Sequence, residues 1–172
     1  GLSELATRMT VGNITEARTV AQWAAQYKAT LAIIGPEAPL ETGVADALWD
    51  AKVPVVGPQK SLARLETSKS FTRDLLARHG IGASPRYRKF DSMEGVEATL
   101  REFGEHYVVK ANGLMGGKGV KISGEHLHDL NEAAAYCETL LAGGDAFVIE
   151  EKLRGEEFSL ISLCGGSTFA HF

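Results

Sequence analysis

The feature that most constrains the fold is a pair of short apolar runs, residues 31–34 and 53–56, each followed at once by Gly-Pro. Continuous apolar runs of this length with an abrupt stop are typical of strands buried in a parallel sheet. A segment with the helical spacing of apolar residues precedes each run, over residues 15–28 and about 40–52. Because helix and strand alternate at this interval, we predict part of a doubly wound α/β sheet.

A helical stretch over residues 61–79 follows the second apolar run. We expect it to break just before Ser68, which would be the N-cap of a second helix. Gly82 and Pro85 then mark a domain boundary. The predicted organisation is a partial Rossmann-like domain over residues 1–60, a helical connection over 61–82 and an α+β lobe over 83–172.

The lobe over residues 83–172 combines helices with strands in a different order. We predict strands over 87–90, 107–111, 120–123 and 147–149, and a hairpin of 158–164 and 168–172 that turns at Gly165 and Gly166. Asp91 and Glu94 have the spacing of a capping box, which predicts that the first helix of the lobe begins there. A second amphipathic helix is predicted from Leu127 to Leu141.

The composition excludes several classes of protein. With 44% hydrophobic and 23% charged residues, the chain is neither disordered nor collagen-like. Its net charge of −4, from 18 basic and 22 acidic side chains, argues against binding mainly to a nucleic-acid backbone. No apolar stretch approaches the ~20 residues of a membrane span, and the two cysteines form no disulfide framework. We therefore expect a cytoplasmic protein. Because the chain begins at Gly1 and ends inside a predicted strand, we also expect a fragment of a longer protein.

The most informative segment for function is the glycine-rich loop between the strands over 107–111 and 120–123. It contains Lys118 and four glycines, which are Gly113, Gly116, Gly117 and Gly119. Glycines allow backbone N–H groups to approach an anion, and a lysine adds a charge suited to phosphate oxygens. A P-loop or a dinucleotide fingerprint would open a helix, whereas this loop joins two strands. We favour a flap over a triphosphate, with a ligand-free flexible hairpin as the alternative.

Two neighbouring segments bear on the same site. Lys110 lies in the strand that enters the loop, where a lysine is rarely buried without a partner. That partner is either a triphosphate or a carboxylate from a neighbouring element. Glu150, Glu151 and Glu157 follow a later strand, and the backbone edge there could bind an adenine while a carboxylate accepts from the ribose hydroxyls. The alternative for this acidic segment is a solvated turn.

Four segments together carry a resemblance to a known family. They are residues 34–40 (IGPEAPL), 56–58 (VGP), 65–71 (LETSKSF) and 109–120 (VKANGLMGGKGV). From about Ile14 to Phe169 the chain resembles the ATP-grasp superfamily, in which two α+β lobes hold ATP between their sheets. Within it, the chain is most similar to the phosphoribosylamine–glycine ligases, or glycinamide ribonucleotide synthetases, of purine biosynthesis. Glycine loops are common in the superfamily, whereas the first two segments are typical of this family.

The resemblance implies roles for individual positions. Lys69 and Lys110 would be the catalytic residues and would contact the ATP phosphates. Further nucleotide contacts would come from Gly113, Gly116, Gly117, Lys118 and Gly119 in the loop and from Glu150, Glu151, Leu153 and Glu157 around the adenosine. Glu37 would face phosphoribosylamine. Mg²⁺ or Mn²⁺ would act with ATP, and we expect its ligands beyond residue 172 rather than within this chain.

The family reaction joins glycine to 5-phosphoribosylamine through a glycyl phosphate, giving glycinamide ribonucleotide, ADP and phosphate. The resemblance implies a cytoplasmic enzyme with small-molecule substrates and no membrane or nucleic-acid partner, and we expect a monomer. Because the acceptor lobe and the metal ligands would lie outside the 172 residues, we expect this chain alone to be inactive. Two alternatives remain: another ATP-grasp carboxylate–amine ligase or carboxylase, and a non-catalytic nucleotide-binding module.

Overall fold

The computed structural model describes residues 2–82 and 84–171. Its helices are α1 (Leu2–Leu5), α2 (Ala17–Gln26), α3 (Glu37–Glu41), α4 (Val44–Asp50), α5 (Lys60–Thr67), α6 (Lys69–Arg78), α7 (Val96–Phe103) and α8 (Leu130–Ala142). Its strands are β1 (Ala32–Ile33), β2 (Val55–Val56), β3 (Tyr87–Phe90), β4 (Tyr107–Ala111), β5 (Val120–Ile122), β6 (Phe147–Glu151), β7 (Ser162–Gly165) and β8 (Thr168–His171). None of the helices described is long and apolar enough to cross a membrane.

The first part of the chain has the predicted alternation of helix and strand. β1 and β2 pair in parallel, with Ala32 opposite Val55. α2 and α4 pack beside this pair around a small core of Val44, Leu48 and Val53. Burial of these apolar side chains supplies the main driving force for joining the layers. The parallel arrangement is therefore confirmed, although both strands are shorter than the apolar runs that predicted them.

The helix predicted over about residues 40–52 is instead two helices, α3 and α4. Gly43 separates them with a φ of +87°, a left-handed conformation that residues with a Cβ rarely adopt. Beyond this break, Val44, Ala45 and Leu48 are buried. The spacing of apolar residues continues across Gly43, which is why periodicity alone predicted one helix.

α5 and α6 confirm the predicted break and the predicted cap. Ser68 lies between them with an extended backbone, and its Oγ accepts a hydrogen bond from the Phe71 N–H at 3.4 Å. The guanidinium of Arg64 in α5 lies 4.0 Å from the centre of the Phe71 ring in α6. These contacts join the end of one helix to the beginning of the next.

The second part of the chain is the predicted α+β lobe. Its four strands form an antiparallel sheet in the order β3-β6-β4-β5. α7 and α8 pack on one face of the sheet over a core that includes Val96, Leu100, Phe103, Val109, Cys137, Leu140, Phe147 and Ile149. Burial raises the pKa of the Cys137 thiol to about 12, so this group stays protonated within the core.

Asp91 and Glu94 do not form the capping box that their spacing predicted. α7 begins only at Val96, and Gly95 occupies its N-cap position with a φ of +77°. A left-handed residue cannot continue a right-handed helix, so residues 91–95 form a turn before α7. The prediction was wrong because the capping-box spacing of Asp91 and Glu94 takes no account of the glycine that follows, Gly95.

The strand predicted from residue 158 begins only at Ser162. β7 pairs with β8 in a hairpin separate from the four-stranded sheet. Gly165 pairs across the hairpin, so the turn falls at Gly166 and Ser167, one residue later than predicted. Phe172, the predicted end of the return strand, lies outside the described residues.

Candidate functional site

The sheet face opposite α7 and α8 carries two of the charged residues predicted for the site, Lys110 and Glu150. Val108 pairs with Glu150, and Lys110 pairs with Val148. Since side chains of paired residues lie on the same side of a sheet, all four project from this face. α6 lies against it, because Arg73 reaches Glu150. The site is therefore built from one helix and the two central strands of the sheet.

Glu150 is the centre of an ion cluster. Lys110 Nζ lies 2.7 Å from Glu150 Oε2. Arg73 donates from Nε to Oε1 at 2.6 Å and from Nη2 to Oε2 at 3.0 Å, so the arginine holds both carboxylate oxygens. The Glu150 side chain is 1% exposed, while those of Arg73 and Lys110 are 19% and 27% exposed. We call these three residues the Glu150 cluster.

The Glu150 cluster keeps a buried carboxylate ionised. Burial alone would raise the pKa of Glu150, but hydrogen bonds from Arg73 and Lys110 and the charges of both cations outweigh it. The pKa of Glu150 therefore lies below its ordinary value. A buried charge is tolerated only where it is paired and hydrogen-bonded, and the bidentate arginine meets that requirement. Of the two partners considered for Lys110, this structure contains the carboxylate.

Lys69 brings a second ammonium group to the beginning of the glycine loop. Its Nζ donates to the carbonyl oxygen of Gly113 at 3.1 Å. Burial lowers the pKa of Lys69, and the positive charge of Lys110 lowers it further. Two cations that repel one another across the mouth of a glycine loop favour the binding of an anion, which would relieve that repulsion.

Asn112 fixes the loop to the N-terminus of α6. The carbonyl oxygen of Asn112 accepts from the Lys69 N–H at 3.2 Å, and its Oδ1 accepts from the Ser70 N–H at 2.9 Å. Its Nδ2 donates to Ser68 Oγ at 3.4 Å. The first N–H groups of a helix have no partner within the helix, so a residue that accepts from two of them is a strong anchor. The entrance of the loop and the helix that carries Lys69 are thus one unit.

The glycine loop itself is held at its two ends and open in its middle. Gly116 and Gly117 have φ values of +56° and +80° and lie on the surface. Gly119 is buried, and a Cβ there would lie 2.7 Å from the Met115 side chain. The exposed Lys118 side chain makes no ion pair with any other residue that the structure describes. The loop can therefore change its conformation around an anion without disturbing the sheet.

The other predicted site residues lie apart from the Glu150 cluster. The carboxylate of Glu151 accepts from the N–H and Nε of Arg86 at 3.1 and 2.8 Å, and the pKa of Glu151 is lowered by these bonds. Leu153 is 66% exposed, and Glu157 lies exposed in an irregular segment after β6. Glu37 is the exposed first residue of α3. No hydrogen bond or ion pair joins Glu37 or Glu157 to the cluster among the residues described.

The described residues contain no ready metal site. Across 2–82 and 84–171, no group of three His, Cys, Asp or Glu side chains could hold a metal ion. The one deeply buried carboxylate of the site, Glu150, is already shared by two cations. The residues present therefore do not fit a divalent metal, and the location of its ligands stays a prediction.

Sequence reasoning missed Arg73 and Asn112 as parts of the site. Arg73 follows Lys69 by one helical turn, so both lie on the same side of α6, and that spacing was the available signal. Asn112 was visible only as a member of the glycine loop, and its contacts with α6 span more than 40 residues of sequence. Neither contact follows from local spacing.

Comparison with known proteins gives matches for both parts of the chain. Residues 1–66 match the phosphoribosylglycinamide synthetase N domain, and residues 67–172 match the phosphoribosylglycinamide synthetase ATP-grasp (A) domain. Phosphoribosylamine–glycine ligase of Methanosarcina barkeri is 40% identical over 172 residues, which cover 100% of this chain and 39% of the relative. The enzyme of Pyrococcus furiosus is 41% identical over 159 residues, which cover 92% and 36%. The chain thus spans about two fifths of the length of these relatives.

Solved structures agree with the sequence matches. Phosphoribosylamine–glycine ligase of Thermotoga maritima superposes with a TM-score of 0.66 and 29% identity, over 81% of this chain and 34% of that one. D-alanine–D-alanine ligase of Bacillus anthracis superposes with a TM-score of 0.61 and 22% identity, over 78% and 44%, which supports the fold alone. Because two adjoining family matches account for residues 1–172, this chain belongs to the phosphoribosylglycinamide synthetase family, and its second part has the ATP-grasp fold.

Proposed function

We propose that the whole protein catalyses the ATP-dependent ligation of glycine to 5-phosphoribosylamine, giving glycinamide ribonucleotide, ADP and phosphate. The observation that carries this proposal is the convergence of Lys69 and Lys110 at the beginning of a glycine loop in an ATP-grasp lobe. Membership of the phosphoribosylglycinamide synthetase family favours these substrates over those of other ATP-grasp ligases and carboxylases.

In this proposal Lys69 and Lys110 bind the phosphates of ATP. Both ammonium groups are held in place before a nucleotide arrives, one by Gly113 and the other by Glu150. Because these contacts already order both ammonium groups beside the loop, turning them toward a phosphate costs little side-chain freedom. The loop from Gly113 to Gly119 would then close over the phosphates, with N–H groups of Gly116 and Gly117 and the exposed Lys118 ammonium as added donors.

The adenosine would lie along the end of β6. The Glu151 N–H donates to the Arg86 carbonyl oxygen at 3.0 Å, so the carbonyl of Glu151 is the group proposed to accept from the adenine amino group. The Leu153 N–H donates to no other residue described, and we assign it to an adenine ring nitrogen. Glu150 would border the adenine through its place in the strand, and Glu157 would accept from the ribose hydroxyls.

The chemistry follows from the low reactivity of a carboxylate toward amines. An oxygen of the glycine carboxylate attacks the γ-phosphorus of ATP, and the bond from that phosphorus to the bridging oxygen breaks to release ADP. The amine nitrogen of phosphoribosylamine then attacks the glycyl carbonyl carbon. Phosphate leaves with the bonding electrons, and the nitrogen loses a proton. The protein positions and neutralises these groups, so the reaction needs no nucleophilic side chain.

The remaining features of the proposal follow from the same family chemistry. Mg²⁺ or Mn²⁺ would neutralise further phosphate charge when bound, although the described residues do not themselves fit a metal site. Glu37 would face phosphoribosylamine from the beginning of α3. The substrates are small molecules, and we propose a monomeric enzyme of the cytoplasm with no membrane or nucleic-acid partner.

A substrate-dependence assay tests the proposal. ADP release by the full-length protein is followed with ATP and combinations of glycine, phosphoribosylamine, D-alanine and bicarbonate. We expect full turnover only with glycine and phosphoribosylamine together. Turnover with D-alanine or bicarbonate in place of glycine would assign a different ATP-grasp reaction. Nucleotide binding without any turnover would support the non-catalytic alternative.

A further inference from the structure

We propose that Arg73 is a positioning residue that allows Lys110 to move from Glu150 to the nucleotide phosphates, an inference that rests on the proposed ATP site. Lys110 must contact two partners in turn, because the structure pairs it with Glu150 and the proposed function pairs it with phosphate. It can contact phosphate only if the charge of Glu150 remains neutralised after the Lys110–Glu150 contact is lost.

The geometry of Glu150 provides for that exchange. Arg73 contacts both carboxylate oxygens, at 2.6 Å on Oε1 and 3.0 Å on Oε2, and the Lys110 ammonium lies 2.7 Å from Oε2. When the Lys110 ammonium turns toward an anion, the bidentate pair with Arg73 is complete without it. Because Lys110 is the more exposed of the two cations, it is also the one with room to move. Arginine suits the retained position, since its planar fork matches a carboxylate.

Without Arg73, nucleotide binding would remove Lys110, the last cation hydrogen-bonded to Glu150. A buried carboxylate that loses its partners takes up a proton or holds the lysine back. Three other groups face Glu150 from the elements around it: Lys69 in α6, Lys110 in β4 and Tyr87, its cross-strand neighbour in β3. The Lys69 ammonium is hydrogen-bonded to Gly113 and the Tyr87 hydroxyl to Asp74, so neither replaces Arg73.

The inference is tested by binding of a non-hydrolysable ATP analogue to the full-length protein, measured by calorimetry in two buffers that differ in ionisation enthalpy. Arg73→Met and Arg73→Lys are compared with the parent, and the double variant Arg73→Met/Glu150→Gln is compared with Glu150→Gln alone. Arg88→Met is the matched control, because it removes an exposed arginine on β3 of the same lobe, together with its ion pair to Glu102 in α7. Thermal melts establish that each variant is folded.

We expect Arg73→Met to lower the affinity for the ATP analogue by about ten- to a hundredfold, since the buried Glu150 carboxylate loses its last cationic partner on binding. It should also add uptake of about one proton, because Glu150 becomes protonated as Lys110 leaves. Arg73→Lys should recover most of the affinity, and Arg88→Met should match the parent. In the Glu150→Gln background, Arg73→Met should lower the affinity by less than about threefold, because no buried carboxylate remains that could lose its partner.

Several results would overturn the inference. Equal affinity and equal proton uptake in Arg73→Met and the parent would show that Glu150 needs no retained cation. An equally large loss in the Glu150→Gln background would show that Arg73 contacts the nucleotide directly. If Arg73→Met does not fold, Arg73→Gln, which also removes the positive charge, takes its place in the same measurements, with and without Glu150→Gln. Failure of the parent itself to bind the analogue would instead refute the proposed ATP site.

Discussion

Replacing Lys110 by alanine should impair nucleotide use far more than replacing Lys118 by alanine. Lys110 extends from β4, which is paired on both sides by β5 and β6, and Glu150 holds its ammonium in place at 2.7 Å. A cation that is already ordered beside the loop loses little side-chain freedom when it turns from Glu150 to a phosphate. Loss of such a charge-assisted contact costs about 1.5–3 kcal/mol, which corresponds to roughly a ten- to hundredfold fall in kcat/KM for ATP.

Lys118 should contribute less for a reason that the structure makes explicit. It is exposed between Gly117 and Gly119 and forms no ion pair with another described residue, so its side chain must be ordered at each binding event. That ordering costs up to about 2 kcal/mol for a lysine and offsets most of the contact energy. We expect a loss of less than about tenfold for Lys118→Ala.

Steady-state kinetics of the full-length protein over a range of ATP concentrations compare the two variants directly. Lys118→Ala is the matched control, because it removes the same charge from the same loop region. Thermal melts are needed for Lys110→Ala, although Arg73 still neutralises Glu150 in that variant. If Lys110→Ala equals the parent and Lys118→Ala is crippled, the roles of strand and loop are reversed.

Four further predictions follow from individual contacts. Asn112→Ala should destabilise the chain by about 0.5–2 kcal/mol, because two N–H groups of α6 depend on Asn112 and one of them on its side chain; Asn112→Asp, which retains Oδ1, should lie near the parent in urea unfolding. Gly119→Ala should cost about 1–3 kcal/mol, because a Cβ would lie 2.7 Å from Met115; Gly113→Ala, with nothing within 4 Å, should change the unfolding free energy by less than about 0.5 kcal/mol. The pKa of Glu150 is lower in the folded than in the unfolded chain, so the stabilisation that Glu150 contributes is complete above the ordinary value of 4.5 and is lost as pH falls through the folded value. The free energy of unfolding should therefore fall more steeply for the parent than for Glu150→Gln between about pH 5 and about pH 3. The isolated 172-residue chain should release no ADP above background with both substrates, and turnover near that of ordinary enzymes would contradict the assignment of catalytic groups to segments outside it.

Local spacing predicts most of the elements that build the site. The apolar neighbours of Lys110 identify β4, and the residues on either side of it, Val109 and Ala111, are fully buried on the opposite face. Ser68 was predicted as a cap because a helix start favours a short oxygen-bearing side chain, and it accepts the expected bond. Apolar runs and helix caps are properties of a few adjacent residues, so one sequence contains them.

Contacts between distant segments could not be predicted in this way. Arg73 and Glu150 are 77 residues apart, and their pairing depends on how α6 lies on the sheet. The register of β6 against β4 decides which face Glu150 takes, and register is set by packing of the whole sheet. Glycine adds a second limit, because Gly43 and Gly95 interrupt apparently continuous patterns through conformations that apolar spacing does not encode.

Transfer of oxygen isotope from glycine tests the central claim most directly. The full-length protein is incubated with ATP, phosphoribosylamine and glycine labelled with ¹⁸O in both carboxylate oxygens, and the released phosphate is analysed by mass spectrometry. A glycyl phosphate requires one labelled oxygen to leave in phosphate and the other to remain in the amide product. We therefore predict singly labelled phosphate in step with product formation. Unlabelled phosphate accompanying the same turnover would contradict activation of glycine at this site.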